Sequence, residues 1–156
     1  MNQNLPFEVL RQLRAQGKTL ATAESCTGGM IGKLLTDVPG SSEVYMGGVI
    51  SYTNGVKHRL LGVSGDTLRV YTAVSRQTAH EMARGTREAV QADIGVSVTG
   101  LAGPDGDGTG RPIGLVYIGI DMEGFSFSQE LHLTGDRAAI REQAAEAVLN
   151  LILEYA

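Results

Sequence analysis

Residues Ala23-Glu24-Ser25-Cys26-Thr27-Gly28-Gly29 set a carboxylate, a hydroxyl and a thiol beside two glycines. A hydroxyl or thiol in such a place can attack an acyl carbon, provided a base lies within hydrogen-bond reach. The stretch joins Thr19 to Ala23, which reads as a strand, to a run with Met30, Ile31, Leu34 and Leu35 at helical spacing as far as Val38. A helix starting here would aim unpaired N–H groups and its positive dipole end at the space above Ser25. Thr27, Gly28 and Gly29 would let a ligand approach the backbone. The same residues also read as an ordinary N-cap, and local chemistry leaves both readings open.

Other polar residues stand at strand ends. Tyr52 and Asn54 follow a second strand, Val44 to Tyr52, with Lys57 one turn later, and Thr99-Gly100 close a third, Ile94 to Thr99. In an open α/β sheet, ligands bind beyond the carboxyl ends of parallel strands, so these residues would gather at one rim. Each also has a bland reading: Lys57 as a solvated lysine, Tyr52 as a half-buried tyrosine, Thr99 as a turn residue. Cys26 is a rival nucleophile to Ser25, but free cysteines tend to be buried, and it reads rather as a small residue under the helix start.

The elements that must position this set follow from periodicity. Leu5 to Gln16 reads as a helix with Val9, Leu10 and Leu13 on its apolar face. Gly47-Gly48 marks a bulge or a close backbone approach in the second strand. Asn54 to Leu61 is a short helix begun by a good cap residue, and Ser64 to Tyr71 is ambiguous, with room for a further helical turn. Ser75 caps a long helix, and Asp136 caps a last one. Gly100 to Arg111, with five glycines, is a loop. Ile113 to Ile120 is a strand buried on both faces, and Phe125 to Leu133 alternates as its half-exposed antiparallel partner. The sum is an α/β fold, a three-layer α/β/α sandwich with a mixed, mostly parallel five-stranded sheet.

Composition excludes several classes. A chain of 156 residues with net charge −4 has no dense basic stripe and no tryptophan, which argues against nucleic acid. No apolar run reaches membrane-spanning length, and the N-terminus lacks the pattern of a secretory signal. A single cysteine fits a reducing cytoplasm. Gly32-Lys33 fails as a phosphate loop because Leu34 follows, and the Gly106–Gly110 run fails the dinucleotide spacing. Gly95-Val96-Ser97-Val98-Thr99 nearly spells a nucleophile elbow, but it lies in an apolar strand, where Ser97 reads as packed. His58, His80 and His132 have no metal-ligand spacing, so no metal is expected.

Three stretches resemble the successive hallmarks of the CinA C-terminal domain, the nicotinamide mononucleotide (NMN) deamidase family of PncC type. They are Ala23–Gly29, Gly47-Gly48-Val49-Ile50-Ser51-Tyr52-Thr53-Asn54 with Val56-Lys57, and Val98-Thr99-Gly100-Leu101-Ala102-Gly103-Pro104. Ala73-Val74-Ser75, Pro112-Ile113-Gly114 and Gly135-Asp136-Arg137 resemble it as well, in order along the chain. The resemblance implies one domain over residues 1–156, homodimer formation and a cofactor-free hydrolysis. Its substrate would be the carboxamide of NMN, and its products nicotinic acid mononucleotide and ammonia.

The family is described as using a Ser/Lys dyad. Motif matching places the nucleophile on Ser25 and the base on Lys57, with Tyr52 and Thr99 in support. The implied substrate contacts are Thr27, Gly28, Gly29, Asn54, Gly100 and Arg137. The chain departs from the family pattern at Gly55, at Thr72 where a glycine is usual, and in the atypical loop Asp105–Arg111. Two other readings stand beside it: an amidase for a related amide, and a silent nucleotide-binding or partner-interaction module on the same scaffold.

Overall fold

The computed structural model describes residues 1–156. Its helices are α1 (Leu5–Gln16), α2 (Met30–Thr36), α3 (Asn54–Leu61), α4 (Gly65–Tyr71), α5 (Arg76–Val90) and α6 (Arg137–Tyr155). The strands are β1 (Leu20–Glu24), β2 (Tyr45–Ile50), β3 (Ile94–Gly100), β4 (Leu115–Met122) and β5 (Phe125–His132). They form one sheet in the order β2-β1-β3-β4-β5. β1 pairs in parallel with β2 and β3, and β4 pairs antiparallel with β3 and β5, so β4 alone runs against the rest. The mixed α/β/α architecture expected from the sequence is present, with a second antiparallel pairing, β3 to β4, that the single expected hairpin did not include.

Alternation along the central strands explains the layers. Val96, Val98, Val116, Ile118 and Ile120 turn to one face, where α1, α2 and α6 seal them into the main core. Gly95, Ser97 and Gly119 turn to the other face, against α5. A Cβ at Gly95 would fall 2.1 Å from Ala83 O, and one at Gly119 2.8 Å from Ala79 O, so small residues admit the helix backbone. Ser97 Oγ donates to Ala79 O at 2.5 Å, which is the packed role read from the sequence. Burying a hydroxyl this way costs little only because the bond is made.

Helix starts follow their caps. Ser64, Ser75 and Asp136 accept N–H groups of the first turns of α4, α5 and α6, so the ambiguous Ser64–Tyr71 stretch is a helix. Thr53, not Asn54, caps α3, and Asn54 is its first helical residue. A 3-10 turn at Ser41–Glu43, unforeseen in the sequence, leads into β2. The bulge expected near Gly47 is there: the register slips between Leu20 and Ala21, which face Tyr45 and Gly47. β4 begins at Leu115, later than expected, because Ile113 lies outside the sheet and is 37% exposed. No helix is long and apolar enough to cross a membrane.

Candidate functional site

The carboxyl ends of β1, β2 and β3 meet at one rim. Ser25, the residue after β1, donates its N–H to Val98 O of β3 at 3.0 Å, and Ser51, the residue after β2, donates to Glu24 O at 2.8 Å. The turn from Ser25 to Gly29 then bends tightly into α2, with Gly28 and Gly29 at φ of 61° and 106°, which a side chain would strain.

Four donors of the turn and of the start of α2 point inward, away from any ligand. The Glu24 carboxylate, 2% exposed, collects them. Its Oε1 accepts from Thr27 Oγ1 at 2.6 Å, Gly29 N at 3.2 Å and Ile31 N at 3.0 Å, and its Oε2 accepts from Gly32 N at 3.0 Å. Ser25 is therefore no N-cap, and Thr27, Gly28 and Gly29 lie off the cavity, Thr27 and Gly29 held by Glu24 and the Gly28 N–H by Ser25 O at 3.1 Å. From α6, Arg141 grips the same turn through its carbonyls, donating to Cys26 O at 2.9 Å and Thr27 O at 3.0 Å.

Lys57 comes from the first turn of α3. Its side chain is 1% exposed, and its Nζ lies 2.9 Å from Ser25 Oγ and 2.7 Å from Ser51 O. Both partners are neutral oxygens. Burial without an anion disfavours the charged ammonium, and the pKa falls from 10.5 to about 8 against a small upward pull from Cys26. Cys26 goes the other way: burial pushes its thiol up to about 11, so it is a protonated, poor nucleophile at neutral pH. Lys57 Nζ is in hydrogen-bond contact with Ser25 Oγ and makes no such bond to the Cys26 thiol.

These groups line a cavity of about 280 Å³ that also admits Tyr52, Asn54, Thr99, Gly100 and Arg137. The Thr99 hydroxyl proton is committed, because Oγ1 donates to Ala73 O at 2.7 Å and holds the cavity wall. Gly100 is a glycine for packing, since a Cβ there would fall 2.5 Å from Val116 Cγ2. Tyr52 is 59% exposed and stands at the mouth. Its hydroxyl accepts from Arg137 at 3.3 Å and makes no hydrogen bond to Lys57; the Ser51 carbonyl orients Lys57 instead. Arg137, the first residue of α6, also donates to Gly103 O at 2.7 Å. Asn54 is exposed at the mouth. Sequence reasoning gave no role to Glu24, Ser51, Arg141 or Asp107. Only Glu24 left a signal, a carboxylate just ahead of a helix start, where the dipole favours it.

A three-layer α/β domain with a buried serine–lysine pair beyond the carboxyl ends of its parallel strands has the form of a small-molecule site. The chain belongs to the CinA C-terminal domain family, whose model matches residues 2–156. It is 44% identical over 154 residues to a CinA-like protein of Syntrophomonas wolfei, covering 99% of this chain and 37% of that protein. A CinA-like protein of Kosmotoga olearia is 44% identical over 150 residues, covering 96% of this chain and 36% of the relative. The chain thus spans little more than a third of the length of these relatives.

Two solved structures share the fold throughout. A competence-damaged protein (CinA) superfamily protein from Escherichia coli superposes with a TM-score of 0.96 at 32% identity, covering 99% of this chain and 90% of that one. The competence/damage inducible protein CihA from Agrobacterium tumefaciens gives 0.94 at 36% identity, covering 97% and 93%.

Proposed function

We propose that this domain is a serine amidohydrolase that converts NMN to nicotinic acid mononucleotide and ammonia. The observation that carries the reading is the contact between Ser25 Oγ and the Nζ of a buried lysine whose pKa lies near 8. An amide is a poor electrophile, and a covalent acyl intermediate divides its hydrolysis into two easier steps. At pH 7 roughly a tenth of Lys57 is neutral, which supplies a base without any metal.

Neutral Lys57 accepts the Ser25 proton as Oγ bonds to the carboxamide carbon. The Cys26 N–H, next to the nucleophile, donates to no oxygen of the protein and is the nearest donor for the oxyanion. Arg141, donating to Cys26 O, fixes the peptide that follows it. An oxyanion donor of this kind contributes about 3 kcal/mol to the transition state. The Lys57 ammonium then gives its proton to the departing nitrogen, the C–N bond breaks and ammonia leaves. Water, deprotonated by Lys57, attacks the acyl ester and frees Ser25. Arg137, paired with no carboxylate, takes the phosphate at the mouth.

The test is ammonia release from NMN, set against nicotinamide, its riboside and the dinucleotide. NMN should be the preferred substrate, and Ser25→Ala should bind it without turnover. Substantial turnover by Ser25→Ala removes the serine mechanism, and preference for another amide reassigns the substrate. Silence towards all four leaves a nucleotide-binding module.

A further inference from the structure

The loop from Asp105 to Arg111 gives the cavity one charged side chain that the proposed chemistry leaves unused. Asp107 lines the cavity, as does Arg137. Neither has an oppositely charged partner within the protein. Arg137 donates only to the Gly103 carbonyl and the Tyr52 hydroxyl, and Asp107 accepts only from the N–H and hydroxyl of Thr109. One cavity therefore offers a ligand an unpaired anion and an unpaired cation. Burial pushes the Asp107 carboxyl up, but the Thr109 hydrogen bonds and the Arg111 charge outweigh it and hold the group below the ordinary carboxylate range.

The loop is fastened by one side chain. Arg111 donates to Thr72 Oγ1 at 3.2 Å, to Tyr71 O at 3.5 Å and to Val74 O, reaching across to the segment that carries Ala73 and Val74 on the cavity wall. Glycines at 106, 108 and 110 leave the intervening backbone little stiffness of its own.

We propose that Asp107 is a specificity-determining residue for a carboxamide borne on a positively charged, N-substituted pyridinium ring, and that Arg111 is the positioning residue that holds it there. The inference rests on the amidohydrolase reading and deepens it. NMN carries a cationic ring and an anionic phosphate, which match Asp107 and Arg137 respectively. Its 1,4-dihydro form keeps the ribose, the phosphate and the carboxamide but has a neutral ring. The pair isolates the ring charge.

The experiment measures binding of both forms by calorimetry to Ser25→Ala, which removes turnover. Asp107→Asn on that background should weaken NMN about fivefold, the scale of a partly exposed ion pair, and leave the dihydro form unchanged. Arg111→Met separates positioning from charge by sign. If Arg111 holds Asp107 in place, the preference for NMN over its dihydro form falls. If Arg111 acts only as a nearby cation, its removal raises that preference, which overturns the positioning role. Equal weakening of both forms by Asp107→Asn, or none, overturns the specificity role while the amidohydrolase reading stands on ammonia release. Binding of neither form to Ser25→Ala, with no ammonia from the unaltered protein, overturns both.

Discussion

The floor that carries Ser25 buries two charged side chains, Glu24 behind the cavity wall at 2% exposure and Lys57 lining it at 1%, whereas at the mouth Asp107 and Arg137 stand in solvent. The floor is closed by mutual satisfaction. Glu24 takes four donors, Lys57 spans two oxygens, and no buried side-chain nitrogen or oxygen lacks a partner. Groups at the mouth lean on neutral partners and keep their charge for something else. Within the floor the two buried charges also differ. Glu24 is compensated by backbone dipoles, and Lys57 faces no anion, so burial bears on it in full. On the amidohydrolase reading, the floor would hold the reacting atoms and the mouth would choose what reaches them.

Lys57→Met tests that contrast most severely, because rate and stability should move in opposite directions. Loss of the base should cost about 10²–10⁴ in kcat for ammonia release. Below pH 8 the same change should raise folding stability by up to about 3 kcal/mol, the equivalent of a pKa lowered from 10.5 to about 8. The sign follows from proton counts. Between pH 8 and 10.5 the unfolded chain holds the Lys57 proton and the folded chain does not, so the unaltered protein gains stability as pH rises through that window. Denaturant titrations from pH 7 to 11 should show the rise, and Lys57→Met should lack it. The kcat/KM profile of the unaltered protein should climb through pH 8 for the same reason. A variant both slower and less stable would mean that Lys57 is a structural ammonium.

Glu24→Gln tests the other buried charge and should act through geometry. The amide keeps one acceptor and turns an NH₂ toward backbone donors, a cost of about 1–3 kcal/mol in stability. Because the Ser25 turn hangs on those bonds, displacement of Oγ by a fraction of an ångström should lower kcat up to about a hundredfold while KM holds. Steady-state kinetics with NMN separate the two constants. An unchanged kcat with the expected stability loss would detach Glu24 from the dyad and leave it as a helix anchor alone.

Much of the floor was legible in the sequence, and the reasons are local. Ser25 and Lys57 follow strands whose apolar runs place them, and the rim rule for parallel strands brings them together. Gly28 and Gly29 were legible as a tight turn and misread in purpose. Their freedom lets the chain wrap around Glu24, which no spacing rule discloses because its donors lie three to eight residues ahead. Thr99 and Gly100 sit at the right rim, but their work is tertiary, since Ala73 and Val116 come from distant segments. At the mouth, neither Asp107 nor the Arg111 fastening could be read, because an irregular glycine-rich loop has no periodicity to fix where its side chains fall.

Thr72 marks the boundary between floor and mouth, and the smallest expected effects belong to it. It is held at φ 71° and ψ 175°, a region kept almost wholly for glycine, at a cost of about 1–3 kcal/mol. In return its Oγ1 accepts from Val74 N at 3.3 Å and from Arg111 at 3.2 Å. Thr72→Ala loses those bonds and keeps the strain, so stability should fall by about 1–2 kcal/mol. Thr72→Gly loses the same bonds but relieves the strain, less about 0.5–1 kcal/mol for the freer unfolded chain, and should land close to the unaltered protein. The difference between the two variants in thermal unfolding is the strain less that unfolded-chain cost, and a Thr72→Gly less stable than Thr72→Ala by that cost would show that there is none. Neither side chain reaches Ser25 or Lys57, so kcat should hold in both. A fall in kcat would run through Ala73, whose carbonyl is tied to Thr99, and would place the 72–74 wall with the floor rather than the mouth.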